Sequence, residues 1–264
     1  MNKLSFSANL GLLFSDLALP DAIRAAHLAG FAAVECHWPY DTPAAIVTRA
    51  LHETGLSMLC LNTRPGDRAT GEFGLAALPG RQTEARAAIM EALRYATATG
   101  TRAVHVMAGL SDAGAEAEST FRANLAHACD LAASRDITIL IEPINRHDVP
   151  FYHLARADQA AAIIADLARP NLKMIFDCYH LALIHGELLP LFRALQPIIG
   201  HVQFAALPDR GEPDSGMIDY ATLLPALRAA GHTLPFGAEY RPRSGRTEDG
   251  LGWLATLGKA LSDL

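Results

Sequence analysis

Short apolar runs alternate with alanine-rich helical stretches eight times along this chain, and that alternation limits its fold more than any other feature. The runs fall at 4–9, 32–37, 57–62, 103–107, 137–141, 173–176, 198–204 and 234–238. Most lack polar alternation, which suits strands buried on both faces, as in a parallel sheet. The stretches between them read as helices near 20–30, 43–55, 81–99, 116–134, 155–167, 188–195, 220–230 and 251–261. Pro20 and Pro43 stand early in their helices, and Gly30, Gly55, Gly100 and Gly231 close theirs. Proline lacks an N–H that a first turn leaves unused, and glycine accepts the left-handed turn that ends a helix. Eight such units without a linker favour one closed α/β domain over 1–264, a (β/α)8 TIM barrel. The 264 residues lie near the ~250 typical of that architecture. No GxGxxG follows the first run, which speaks against an open dinucleotide-binding sheet.

Charge and composition narrow the function. A net charge of −6 and no clustered basic face argue against nucleic acid as a partner. No apolar run approaches the ~20 residues of a membrane span, so no membrane association is expected. Lys3 followed by LSFSANLGLLF resembles a short signal segment but lacks a small-residue cleavage site, and it reads as the first strand. Cys36, Cys60, Cys129 and Cys178 are dispersed and form no CxxC pair, which fits a reducing, cytoplasmic setting. Cys178, beside Asp177, is either close to chemistry or a small buried residue. Assembly into a homo-oligomer is left open.

The chemistry is expected at the strand ends. In ITILIEPIN the fifth run leads straight into Glu142, and Pro143 then stops the ladder. The sixth run ends at Asp177, the seventh near Gln203 and the eighth at Glu239. Active sites of such barrels are built at the C-terminal ends of strands. Three carboxylates converging there would repel one another, and a divalent cation resolves the conflict. A donor set of Glu142, Asp177, Gln203 and Glu239 is all oxygen and suits Mg²⁺ or Mn²⁺. The alternative is four unrelated strand-exit polar groups.

Other positions are weaker candidates. His180 is read either as a substrate-binding group or as an exposed turn histidine. Asn62, Arg210 and Arg241 are further substrate-binding candidates, with Asn9, Glu35 and His37 near other strand ends. His105 and His201 are as readily core histidines as functional ones; His201 shares the face of Gln203, lower in the barrel. Asn145 and Asp148 are expected to line the pocket. The glycine-rich loop 63–80 is long enough to be functional.

A cation flanked by two glutamates suits proton transfer beside a carbonyl, through an enediolate. Glu142 and Glu239 are the expected acid–base pair. Moving the carbonyl to the next carbon is isomerisation, and returning the proton from the other face is epimerisation; these residues alone do not choose.

The chain resembles the hydroxypyruvate isomerase family of xylose-isomerase-like barrels, which includes 2-oxo-tetronate isomerases. The likeness runs through SANLGLLF, GFAAVECHWPY, LNTRPGDRATGEFGLAALPGR, IEPINRHDVPFYHL, FDCYH, GHVQFAALPDRGEPDSG, GAEYRP and GLGW. The order and spacing of these segments carry it. The resemblance implies metal-assisted isomerisation of a small hydroxy-oxo acid: hydroxypyruvate to tartronate semialdehyde, or a 2-oxo-tetronate. It also implies that Glu142 and Glu239 move the proton, and that Glu142, Asp177, Gln203 and Glu239 hold the metal. A sugar 3-epimerase or dehydratase on the same barrel is the alternative. The sequence departs from the family pattern at Phe73, where relatives often carry arginine, at Met217, where glutamate is common, and at Phe151, where glycine is usual. Losing an arginine matters for a carboxylate substrate, and Arg68, Arg81, Arg210 and Arg241 are the candidates to replace it.

Overall fold

Each of the eight apolar runs forms a strand. The computed structural model describes residues 4–259, so Lys3 and the expected end of the last helix, beyond 259, lie outside the described residues. The strands are β1 (Phe6–Asn9), β2 (Ala33–Cys36), β3 (Ser57–Asn62), β4 (Ala103–His105), β5 (Thr138–Ile141), β6 (Leu172–Asp177), β7 (Ile199–Phe204) and β8 (Phe236–Ala238). All neighbours pair parallel in chain order, and β8 returns to β1 through Phe6–Phe236 and Ala8–Ala238, closing the barrel. Several strands are shorter than their apolar runs, β4 and β8 among them. Tilted strands in a barrel keep ladder pairing only where neighbours overlap.

The outer layer comprises α1 (Leu19–Leu28), α2 (Ala44–Thr54), α3 (Gln82–Thr99), α4 (Gly114–Ala133), α5 (Ala157–Leu167), α6 (Cys178–His185), α7 (Leu188–Leu195), α8 (Tyr220–Ala229) and α9 (Gly252–Lys259). Helix α6 is absent from the sequence expectation, which treats FDCYH as a strand end. Asp177 is the last residue of β6 and also the N-cap of α6, accepting from the backbone amides of Tyr179 (2.7 Å) and His180 (3.3 Å). With strand end and helix cap in one residue, no polar loop marks the boundary. Cys178 opens α6 fully buried.

Strand alternation divides two cores. Outward-facing Phe204 of β7 and Phe6 of β1 meet Trp253 of α9 at ring separations of 5.5 and 5.0 Å, and Trp253 donates to the Tyr240 hydroxyl. Phe176 of β6 likewise packs edge-on against Phe192 of α7. Inside the barrel, Cys60, Ala103, Leu140 and Ile175 form a small apolar layer. The loop after β3 is pinned across the barrel top by a bridge between Gly74 and Ala108. Gly74 has φ +115°, and a Cβ there would stand 2.6 Å from the Gly109 nitrogen, so only glycine allows this approach. No helix among the described residues is long and apolar enough to cross a membrane.

Candidate active site

A cavity of about 190 Å³ opens at the C-terminal ends of the strands, with Glu142, Glu239, His180 and Arg210 in its wall. Of the four strand-end positions expected from the sequence, Glu142 and Glu239 line it, whereas Asp177 and Gln203 are buried and form no part of its wall.

Glu239 follows β8 and is saturated with donors. Its Oε1 accepts from Asn9 Nδ2 and His37 Nε2, each at 2.9 Å, and its Oε2 accepts from Arg210 Nη2 at 3.0 Å. Burial works against the charge, but Arg210 and His37 outweigh it and hold this carboxyl well below the usual range. Glu142 has the opposite environment. Its Oε1 is buried without a hydrogen-bond partner, 3.9 Å from His180 Nε2, and its Oε2 lies 3.6 Å from His105 Nδ1. Burial, together with the Glu239 and Asp177 charges, pushes its pKa well above the ordinary carboxylate range.

Asp177 divides its oxygens. Oδ1 caps α6, while Oδ2 faces His180 Nε2 at 3.7 Å and Arg210 Nη2 at 3.8 Å. Burial raises its pKa to about 7, against the pull of Arg210. One Arg210 nitrogen therefore contacts both Glu239 and Asp177. Arg210 reaches that point from the loop after β7 with φ +54°, its guanidinium 5.3 Å from the Tyr179 ring. Arg243 secures this loop by ion pairs to Asp209, Glu212 and Asp214.

His180 is a buried helix residue, which overturns the exposed-turn alternative. Its Nδ1 receives the Asn145 side-chain amide at 2.6 Å and the Asn145 backbone N–H at 3.5 Å. A backbone N–H can only donate, so Nδ1 is the acceptor and Nε2 carries the hydrogen. Burial lowers its pKa to about 3, leaving a neutral ring with Nε2–H aimed at Glu142 and Asp177.

Some expectations need correction. Asn145 and Asp148 support the site without forming its wall: Asn145 holds His180, and Asp148 accepts from Asn145 and from the Tyr179 hydroxyl. Arg81 is paired with Glu72 and Glu84 and stands away from the cavity. Asn62, Arg241 and Arg68 do line it. Sequence reasoning passed over Trp38 and Leu12 in the wall. Trp38 follows His37 directly after β2, so a systematic reading of strand exits would have found it. His37, His105 and Asn9 were legible only as weak candidates, yet all three bear on the two glutamates.

The donor set fits a divalent cation. Ligand atoms of Glu142, Asp177 and His180 lie within 4.8 Å of one another; Glu239 stands outside that group, with Arg210 Nη2 between it and Asp177. The Oε1 atoms of Glu142 and Gln203 are both buried and unpartnered, and both are oxygen donors of the kind a hard cation takes.

Comparison with known proteins supports this assignment of the barrel. A family model described as xylose isomerase-like TIM barrel matches residues 23–257. The chain is 43% identical over 252 residues to the 2-oxo-tetronate isomerase of Cupriavidus necator, covering 94% of this chain and 96% of that protein. It is 37% identical over 254 residues to the hydroxypyruvate isomerase of Escherichia coli, covering 95% and 98%. A solved structure from Brucella melitensis, described as AP endonuclease, family 2, superposes with a TM-score of 0.92 at 37% identity, covering 96% and 98%.

Proposed function

Because this chain belongs to the xylose isomerase-like TIM barrel family, we propose that it is a metal-assisted isomerase moving the carbonyl of a small hydroxy-oxo acid between adjacent carbons. The substrate is hydroxypyruvate or a 2-oxo-tetronate, and the cation is Mg²⁺ or Mn²⁺. The observation that carries the reading is the contrast between the two glutamates. Glu239, held ionised by three donors, stands in the form a base needs, and Glu142, whose burial raises its proton affinity, in the form an acid needs. Two carboxyls whose environments separate their affinities for protons form an acid–base pair.

Glu142, Asp177, Gln203 and Glu239 would hold the cation, which when bound polarises the substrate carbonyl and the adjacent hydroxyl. In one direction, Glu239 takes the proton from the hydroxyl-bearing carbon, Glu142 gives its proton to the former carbonyl carbon, and the hydroxyl proton passes to the former carbonyl oxygen. The substrate thus changes by no net proton, while Glu239 ends protonated and Glu142 ionised. His180 Nε2–H donates to a substrate oxygen, a role its fixed tautomer supports. Arg210 is engaged by Glu239, so the substrate carboxylate falls to Arg68 and Arg241 at the rim. Among the described residues neither has a carboxylate within ion-pairing distance, and Arg68 rests 4.6 Å over the Trp38 ring. Phe73, stacked edge-on against Tyr152, adds an apolar wall that excludes water. A cavity of this size suits a short acid.

Glu142→Gln and Glu239→Gln should each fold normally and lose about 10²–10⁴-fold in turnover. Proton NMR in D₂O with hydroxypyruvate and saturating Mn²⁺-free Mg²⁺ follows both carbonyl position and solvent deuterium uptake. Near-normal rates in either variant would remove that glutamate from the chemistry.

A further inference from the structure

Below the strand-end carboxylates, the barrel interior holds a second buried acid that the proposed chemistry leaves unused. Glu35 of β2 is fully buried. Its Oε1 accepts from Ser7 Oγ of β1 at 2.5 Å and lies 3.0 Å from His201 Nε2 of β7. Its Oε2 accepts from Gln203 Nε2 at 2.9 Å, with Cys60 Sγ of β3 at 3.7 Å. Strand β8, which lies between β1 and β7, makes room for the cluster. A Cβ on Gly237 of β8 would stand 2.3 Å from Glu35 Oε1 and 2.9 Å from both Gln203 Cγ and His201 Nε2.

A carboxylate in a barrel interior carries a large desolvation penalty, and an apolar residue would pack there without it. What Glu35 supplies is direction. A carboxylate accepts and does not donate, so it selects the NH₂ end of the Gln203 amide. The carbonyl end must then turn the other way, and Gln203 Oε1 is buried with no partner. We infer that Glu35 is a positioning residue: it locks the Gln203 amide so that Oε1 is presented to the cation. The inference rests on the metal-assisted reading above. Glu35, Cys60 and His201 also lie close enough to resemble a metal site, but both Glu35 oxygens already accept hydrogen bonds.

The test measures Mn²⁺ affinity of the full chain by calorimetry, independent of turnover. In Glu35→Gln the side chain can offer Gln203 either amide end, so orientation is lost. Removing an outer partner of this kind typically weakens metal binding about 10–100-fold. Glu35→Gln should fall in that range, and adding it to Gln203→Leu should weaken binding no further. In E35Q/Q203E donor and acceptor exchange places, and affinity should recover to within a few-fold of the unaltered protein. Q203E alone sets two carboxylates against each other and should not recover affinity; the same recovery in Q203E alone would overturn the positioning role. Glu35→Asp, which keeps the charge but withdraws it from Gln203, should weaken binding in the same direction and serves if Glu35→Gln does not fold. Unaltered affinity in the Glu35 variants beside a weakened Gln203→Leu overturns the positioning role and leaves the metal reading intact. Unaltered affinity in Gln203→Leu overturns both.

Discussion

Replacing Arg210 by methionine keeps most of the aliphatic volume and deletes the guanidinium shared by Glu239 and Asp177. Arg210 Nη2 lies 3.0 Å from one carboxylate and 3.8 Å from the other, and the three side chains are 17%, 7% and 2% exposed. Removing one partner of a buried ion pair costs about 3–5 kcal/mol. Some water reaches the guanidinium, so about 2–3 kcal/mol is the reasonable expectation. At roughly 2–4 °C per kcal/mol for a chain of this size, the melting temperature in chelator at pH 8 should fall by about 4–12 °C. The deficit should shrink toward pH 5, because Asp177, with its pKa raised to about 7 by burial, then carries a proton and needs no cation. Metal affinity should move the other way. A divalent ion entering among the same carboxylates meets one positive charge fewer, so Arg210→Met should bind Mn²⁺ more tightly while being less stable without it. Calorimetry and thermal melting read the two effects separately. Equal melting temperatures in chelator at pH 8, or weaker Mn²⁺ binding, would refute the reasoning.

Three further outcomes are expected. Free of metal, the protein should lose stability as pH rises from about 4 to 7: unfolded Asp177 ionises near 3.8, whereas burial keeps the folded proton until about 7. Glu239 acts in the opposite sense, but only as pH falls below 4.5, and saturating Mg²⁺ should flatten the loss in melting curves recorded across pH. Arg68→Ala should raise KM for hydroxypyruvate about tenfold with kcat nearly unchanged, as for losing one charge-assisted contact to a carboxylate; a fall in kcat with constant KM would exclude Arg68 as the carboxylate receptor. Trp253→Ala should destabilise the protein by about 3–5 kcal/mol in urea unfolding, since that ring is 1% exposed and holds α9 against Phe6 and Phe204.

The barrel was legible because its cause is local. Periodic burial needs only the right residue types at the right spacing, and the eight apolar runs carry that information themselves. The strand-end positions of Glu142, Asp177 and Glu239 were legible for the same reason, each closing an apolar run. Helix α6 was hidden because Asp177 both ends a strand and caps a helix. What the two glutamates are was not local at all. Glu239 takes a hydrogen bond from Asn9, 230 residues away in sequence, and another from His37, 202 away. No pattern around GAEYRP distinguishes its environment from that of Glu142. The identity of the buried cation was equally hidden, since several loop arginines were equivalent in sequence. The path of one loop, held by Arg243 and turned at a left-handed residue, brought in Arg210 and left Arg68 at the rim. The sequence alone therefore determined where the acids would stand, because strand periodicity is a property of neighbours in the chain. Only the tertiary structure decided which acid has its proton affinity raised and which lowered, because proton affinity depends on burial and on charges that folding brings together.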